Sequence, residues 1–428
     1  MSFDTSALTM PPSIPDAAAA APPPGAAAGA DRPRLAIVCR ACGVPGSVAG
    51  VAVRQSRELA ATFRVALVSD SFPSDVGGAR AVGIHPWRLG ALRRFAHVPA
   101  ELAFCLAATA ALRSLAARGE LDLVLFHSHA AAAVAIPRLR RHRHLRFAML
   151  THGDIFERPA GTYDPRLTAF YRAVTPRAYR ACDLVVALSP DMREWALRGG
   201  ASADRVLVLP NGVDTSDLGM PPEALSEPME PDSPAPLRVL YVGRLAAEKG
   251  VGVLLEALAR LHEGGVPFRA SIVGAGPDSA SHATFVARHG LGGVVEMKGA
   301  VPRAQLATHY RGAHVVCVPS LSDPLPTVVL EALALGRPVL GTAVGGIPFL
   351  VEDGVNGLLV PPGDAAALAA GLDRLARDPA LCASLAGRAR ESVYPRYSWE
   401  GVAAQLGGAL LRLRAGSVAE AGPVRVSP

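Results

Sequence analysis

From residue 34 onward the chain alternates two kinds of segment. Short apolar runs come first, the opening one rich in β-branched residues: RLAIVC (34–39), FRVALVS (63–69), LDLVLFH (121–127), RFAMLTH (146–152), DLVVALS (183–189) and RVLVLPNGVD (205–214). Their length and composition predict strands buried on both faces. Between them lie longer amphipathic or Ala-rich segments with helical spacing, such as the one ending RELA (57–60). This is the βαβ rhythm of a parallel sheet covered on both sides.

A Pro- and acid-rich stretch, MPPEALSEPMEPDSPAPL (220–237), interrupts the rhythm and reads as a linker. Strand-like runs then resume at RVLYVGRL (238–245), FRASIVGAG (268–276), VVEMKGAV (294–301), HVVCVPS (314–320) and RPVLGT (337–342). Helical segments are expected around Val251–His262, Thr327–Leu335, Ala366–Arg377 and WEGVAAQLGGALLRLR (399–414). The expected organisation is a tail at 1–30, a first domain at 31–216, a linker at 217–236 and a second domain at 237–394. A last helix at 395–415, packing back towards the first domain, and a tail at 416–428 complete it. The fold class is α/β, with two Rossmann-like domains. Each such domain holds ligands outside the carboxyl ends of its strands, so a cleft between the two is the expected binding place.

Composition narrows the class further. At 428 residues the chain is long enough for two cores, and 50% hydrophobic against 5% aromatic residues makes those cores aliphatic. Residues 1–30 have no basic leader and Pro breaks each apolar run, so neither a signal peptide nor an anchor is read there. The later apolar run Leu102–Leu112 is too short by itself to span a bilayer. Of six cysteines only Cys39 and Cys42 form a CxxC, with no second pair to complete a zinc site, and small-hydrophobe burial accounts for them more simply than redox chemistry. A cytoplasmic setting follows from this cysteine usage. The net charge of +6 is modest, and part of it sits in the run Arg138, Arg140, Arg141, Arg143 and Arg146. That run reads as a solvated face, or as peripheral contact with anionic lipid at the inner membrane surface. No nucleic-acid motif is present.

Two segments carry chemistry. In PSLSDPLPTVVLEALALGRPV (319–339) a strand ends in a Ser/Asp/Pro loop, a helix opens near Pro326 and Thr327, and Gly336 closes it. The opening amides of such a helix suit an anion. Asp323 and Glu331 bring two carboxylates that can accept from vicinal hydroxyls, although ordinary helix-start preferences explain them equally well at this level. In VGRLAAEKGVGVLLEAL (242–258), Gly243 allows a turn after the strand, and Arg244 and Lys249 flank the next helix start as two cations suited to a diphosphate. It is not a Walker A loop. His127 and His129, in FHSHA, stand at a strand end, where a substrate contact is a minority reading, and His142 and His144 among arginines read as solvated.

In combination, these segments resemble the retaining family-4 glycosyltransferases of the GT-B fold, from about Leu35 to about Gln405. PGSVAGVAVRQSRELA (45–60), with Gly46 at the first glycine of a Gly-rich loop, THGD (151–154), CDLVVALSPDMREWALRGGASADRVLVLPNGVD (182–214) and GGIPFLVEDGVNGLLVPPGD (345–364) are similar to further family segments. The resemblance implies a nucleotide-diphosphate sugar as co-substrate, no other cofactor, and no metal. By position it implies that Arg244 and Lys249 neutralise the diphosphate and Glu331 holds the ribose. Asp323, where Glu is usual, would touch the transferred sugar. His152 would stand beside the anomeric centre from the opposite domain. Gly243 and the backbone amides of Leu325 to Thr327 would help hold sugar and phosphate, and Val301 would read the base through its main chain. The implied reaction is transfer to an acceptor hydroxyl, on a lipid-linked sugar, a polysaccharide precursor or a small product, with retention by front-face attack. A sugar-nucleotide epimerase of the same fold and an inactive nucleotide-sugar-binding protein are the alternatives.

Overall fold

The computed structural model describes residues 32–43, 47–84, 97–152, 165–220 and 236–416. They form two units, one made of the chain up to Asn211 together with Trp399 onward, the other of Gly212–Ser398.

In the first unit the order is β1 (Arg34–Val38), α1 (Ser47–Leu59), β2 (Arg64–Ser69), β3 (Arg80–Gly83), α2 (His97–Ala117), β4 (Leu123–Phe126), α3 (His129–Leu139), β5 (Arg146–Thr151), α4 (Pro165–Ala181), β6 (Leu184–Ala187), α5 (Pro190–Arg198) and β7 (Val206–Val208). The strands make one sheet in the order β3-β2-β1-β4-β5-β6-β7, parallel throughout. Its central strands are buried end to end: Ala36, Ile37, Val38, Leu125, Phe126, Ala148 and Met149 are all inaccessible to solvent. Full burial explains why they read as continuous apolar runs. Ser128 and Ser189 cap α3 and α5 by accepting from the amides of Ala131 and Met192.

The second unit runs β8 (Leu237–Val242), α6 (Val251–Glu263), β9 (Phe268–Val273), α7 (Ser279–Arg288), β10 (Val295–Gly299), α8 (Leu306–Arg311), β11 (Val315–Val318), α9 (Thr327–Ala334), β12 (Val339–Thr342), α10 (Ile347–Leu350), β13 (Gly357–Val360), α11 (Ala365–Arg377) and α12 (Pro379–Ala389). Its parallel sheet has the order β10-β9-β8-β11-β12-β13. Leu254, Leu255, Leu258, Ile272, Leu340 and Leu372 are among its core side chains. The chain enters and leaves this unit side by side: Val213 bridges Ser398, and its amide donates to the Tyr397 carbonyl at 2.8 Å. The boundary therefore falls at Asn211, ahead of residue 216. The final helix, α13 (Trp399–Ala415), belongs to the first unit and packs on α1, with Gly407 against Leu59 and Phe63.

Two strands escape the sequence pattern. β3 (RAVG) is an edge strand exposed at most positions, and β13 (GLLV) begins at a glycine in a Gly/Pro-rich stretch. The Leu102–Leu112 reading is also corrected. α2 continues to Ala117, and Val98–Ala117 has the length and apolarity of a membrane span, but half of it is buried inside the first unit. Leu102 and Leu106 face outward. All six cysteines are free and buried.

Candidate functional site

In the second sheet β8 and β11 are neighbours whose connections leave in opposite directions, β8 towards β9 and β11 towards β12. Such a reversal opens a crevice at the carboxyl ends of the two strands. The residues that fill it are those after Val242 and after Val318: Gly243–Gly250 and Pro319–Pro326. Both sequence segments with chemistry therefore meet at one place within this unit.

Backbone contacts hold the two loops together. The amides of Leu321 and Ser322 donate to the Glu248 carbonyl at 2.9 and 3.2 Å. Gly250 has φ +66°, and a Cβ there would fall 1.9 Å from the Pro319 carbonyl oxygen. Gly345, at φ +60°, passes so close that a Cβ would fall 1.9 Å from the Asp323 carbonyl oxygen. Only glycine tolerates both the conformation and the approach.

The charged side chains form two ion pairs here. Lys249 Nζ is 2.6 Å from Asp323 Oδ2, with Asp323 6% exposed, and Ser320 Oγ donates to the same oxygen at 3.4 Å. Lysine keeps further N–H donors beyond this bond. Arg244 pairs with Glu248 and remains exposed. Its carbonyl accepts from Tyr241 Oη at 2.9 Å, which fixes the loop after Gly243.

α9 opens beside these cations. Pro326 is its N-cap residue and supplies no side-chain bond to the first-turn amides. This corrects one expected contact: Pro326 has no N–H to offer, so the amide donors are those of Leu325 and Thr327, while the proline fixes the entry of the chain. One turn on, Glu331 is 3% exposed. Tyr310 Oη donates to its Oε2 at 2.8 Å. Arg303 Nη1 lies 2.9 Å from Oε1 as an ion pair, but out of hydrogen-bond alignment, so Oε1 accepts no hydrogen bond among the described residues. Burial, then the Glu331 charge and hydrogen bond, push the Tyr310 phenol well above its usual value, so it stays a donor. Val301 is half-buried in the loop after β10, two residues before Arg303. Gly336 ends α9 at φ +66° as expected.

The sequence pattern did not reveal Arg303 and Tyr310 as Glu331's partners. Nothing in their spacing, 28 and 21 residues upstream, marks them.

In the first unit, His152 follows β5 and His127 follows β4, so adjacent strands bring them together. His127 Nδ1 and His152 Nε2 are 2.8 Å apart, one donating and the other accepting. Burial lowers His127 to about 3 and His129 to about 4. It also lowers His152 well below the usual imidazole range, helped by its two histidine neighbours. The pair is neutral at physiological pH. His129 Nε2 lies 3.3 Å from Tyr179 Oη. His127, read from sequence as a minority candidate, is thus the partner of His152. Gly46 lies outside the described residues.

The basic run sits at the end of α3 and in the turn to β5. Arg138, Arg140, Arg141 and Arg143 are exposed, and Arg140 pairs with Asp183 at 2.8 Å. Among the described residues, no three His, Cys, Asp or Glu side chains are grouped to hold a metal.

Comparison with known proteins gives the family and the fold. Residues 48–217 match the glycosyltransferase family 4 domain, and residues 230–392 match glycosyl transferases group 1. The chain is 37% identical over 178 residues, 40% of its length, to the putative colanic acid biosynthesis glycosyltransferase WcaL of Salmonella typhimurium, of which 44% is covered. It spans about half the length of the first curated relatives it matches. It is 31% identical over 328 residues, 71% of this chain and 74% of the other, to the D-inositol 3-phosphate glycosyltransferase of Kribbella flavida. Among solved structures, sucrose-phosphate synthase from Thermosynechococcus elongatus superposes with a TM-score of 0.72 at 24% identity, over 90% of this chain and 100% of that one. Anabaena Alr3699/HepE in complex with UDP-glucose does so with a TM-score of 0.65 at 21% identity, over 88% and 99%. These two share the fold. The chain belongs to the group 1 glycosyltransferases and has the two-unit α/β architecture of the GT-B fold.

Proposed function

We propose that this protein transfers a glycosyl group from a nucleoside-diphosphate sugar to an acceptor hydroxyl, with retention of configuration and without a divalent metal. One observation carries the donor reading. Two cations, an uncapped helix N-terminus and a buried carboxylate, one oxygen of which accepts no hydrogen bond among the described residues, belong to the segments at the switch point of the second unit. A diphosphate needs positive charge and amide donors, and a ribose needs a carboxylate acceptor. The Anabaena structural neighbour is a complex with UDP-glucose.

In this reading Lys249 and Arg244 neutralise the diphosphate and the charge that grows on it as the sugar departs. The C1–O bond to phosphate breaks and a C1–O bond to the acceptor forms on the same face, while the acceptor proton passes to the departing phosphate oxygen. Asp323 contacts the transferred sugar, and Val301 offers its main chain to the base. His152 acts as a neutral hydrogen-bonding group, since its proton affinity is depressed. Retention rests on the likeness to retaining enzymes. The named activities of the relatives, colanic acid and amylovoran biosynthesis among them, favour a carbohydrate acceptor, polymeric or lipid-linked. A cytoplasmic location, with the basic run at 138–146 touching anionic lipid, fits the six free thiols.

The test is incubation with labelled UDP-, GDP- and ADP-sugars in EDTA. Slow donor hydrolysis is expected, faster with acceptor, and at least tenfold slower in Arg244→Ala and Lys249→Ala. Interconversion of the donor without release of nucleotide, or full turnover in both variants, contradicts the proposal. Proton NMR of the product reads the anomeric configuration.

A further inference from the structure

Glu331 is held in an unusual way. One carboxylate oxygen takes a hydrogen bond from a fully buried phenol, whereas the other takes none and has no accessible surface. Arg303 Nη1 lies 2.9 Å from that second oxygen as an ion pair, and its side chain is 55% exposed. Tyr310 is enclosed: it is 0% exposed on α8, and its hydroxyl reaches Glu331 on α9 at 2.8 Å. Arg303, in a short 3-10 turn at the surface, can move aside.

The asymmetry has a chemical meaning. A carboxylate free to rotate would present either oxygen, at any angle, to an incoming diol, and the alignment would have to be ordered on binding. A phenol donating to one oxygen fixes the plane of the carboxylate in advance and leaves the other oxygen as the acceptor. The Tyr310 proton is not lost, because burial and the neighbouring negative charge both hold it on the oxygen.

We infer that Tyr310 is a positioning residue that makes this site selective for ribose over deoxyribose donors, by holding Glu331 Oε2 so that Oε1 faces the sugar hydroxyls once Arg303 swings away. The inference rests on the reading of Glu331 as the ribose ligand. A site that hydrogen-bonds a hydroxyl rejects the analogue lacking it, because its own buried group is then left unpaired.

The experiment compares, by calorimetry, binding of UDP, GDP and ADP with that of their 2′,3′-dideoxy counterparts. It uses the wild-type chain, Tyr310→Phe and Glu331→Ala. Tyr310→Phe keeps the ring and its packing and removes one oxygen. Wild type is expected to prefer the ribonucleotide by about tenfold or more, the yield of one hydrogen bond to a charged group. Tyr310→Phe is expected to lose most of that preference by weakening the ribonucleotide alone, with dideoxynucleotide affinity within twofold of wild type. Full ribose preference in Tyr310→Phe, or equal weakening of both nucleotides, overturns the inference while leaving the Glu331 reading intact. Unchanged preference in Glu331→Ala, or failure of all three diphosphates to bind, overturns that reading and the inference with it.

Discussion

Lys249 has two duties in this account: it neutralises Asp323 in the resting protein and grips the donor diphosphate. Lys249→Met removes the charge and keeps most of the stem. Asp323 would then stand 6% exposed, with Ser320 Oγ, at 3.4 Å, as its remaining side-chain hydrogen-bond partner among the described residues. Removing one partner of a buried ion pair costs about 3–5 kcal/mol, since the remaining charge is left unpaired. Lys249 is 27% exposed, so water reaches the pair and the cost falls to about 1–3 kcal/mol. In a unit of this size that lowers the melting temperature by about 2–12 °C. Nucleotide binding should weaken about 10- to 100-fold, the loss of one charge-assisted bond to phosphate. The double variant Lys249→Met/Asp323→Asn separates the two duties. It leaves no unpaired charge, so the melting temperature should return, whereas affinity for a nucleoside diphosphate without sugar should stay low. Thermal unfolding and calorimetry on the same samples read both quantities. If Asp323→Asn restores nucleotide affinity along with stability, Lys249 is only a counter-ion and the diphosphate grip is wrong.

Three further outcomes follow from the same structure. Gly345→Ala would place a Cβ 1.9 Å from the Asp323 carbonyl oxygen at a left-handed φ. Left-handed backbone alone costs about 1–2 kcal/mol for alanine, so lower stability and weaker nucleotide binding are expected together; wild-type binding would show that the loop yields harmlessly. The first unit should lose stability in mild acid. His127, His129 and His152 have folded proton affinities below the unfolded value of 6.5, to about 3 and about 4 for the first two. Their contribution is complete above pH 6.5 and is lost as pH falls, because the unfolded chain binds the extra protons, by about 1 kcal/mol per pH unit for each histidine. Denaturant melts at pH 7 and pH 5 check this, and an unchanged midpoint would refute it. Leu406→Ala, at a fully buried site on α13, should destabilise the first unit by about 2–5 kcal/mol; hydrogen exchange should show faster opening in α1 rather than in α6, and the reverse would put the helix elsewhere.

Most strands were legible because both sheets are parallel and covered, so the runs at β1, β4, β5, β8 and β11 are largely apolar on both faces. The same logic hid β3, whose exposed edge leaves RAVG without an apolar pattern. It hid β13 as well, where a Cβ on Gly357 would sit 2.2 Å from the Val339 carbonyl oxygen, so close approach selects glycine over a strand former. Arg244, Lys249, Asp323 and Glu331 could be named because they stand at strand ends and helix starts, where phosphate chemistry has a local signature. Their pairings could not. Lys249 meets Asp323 across 74 residues, and Tyr310 meets Glu331 from a different helix. Such contacts depend on which strands adjoin and how far a side chain reaches.

The most direct test of the central claim is a crystal structure of the full chain with a bound nucleoside diphosphate. The account predicts phosphate oxygens within hydrogen-bonding distance of Lys249 Nζ, the Arg244 guanidinium and the Thr327 amide, with a ribose hydroxyl on Glu331 Oε1. A nucleotide seated away from the carboxyl ends of β8 and β11, or turned so that its phosphates meet none of those donors, would contradict it.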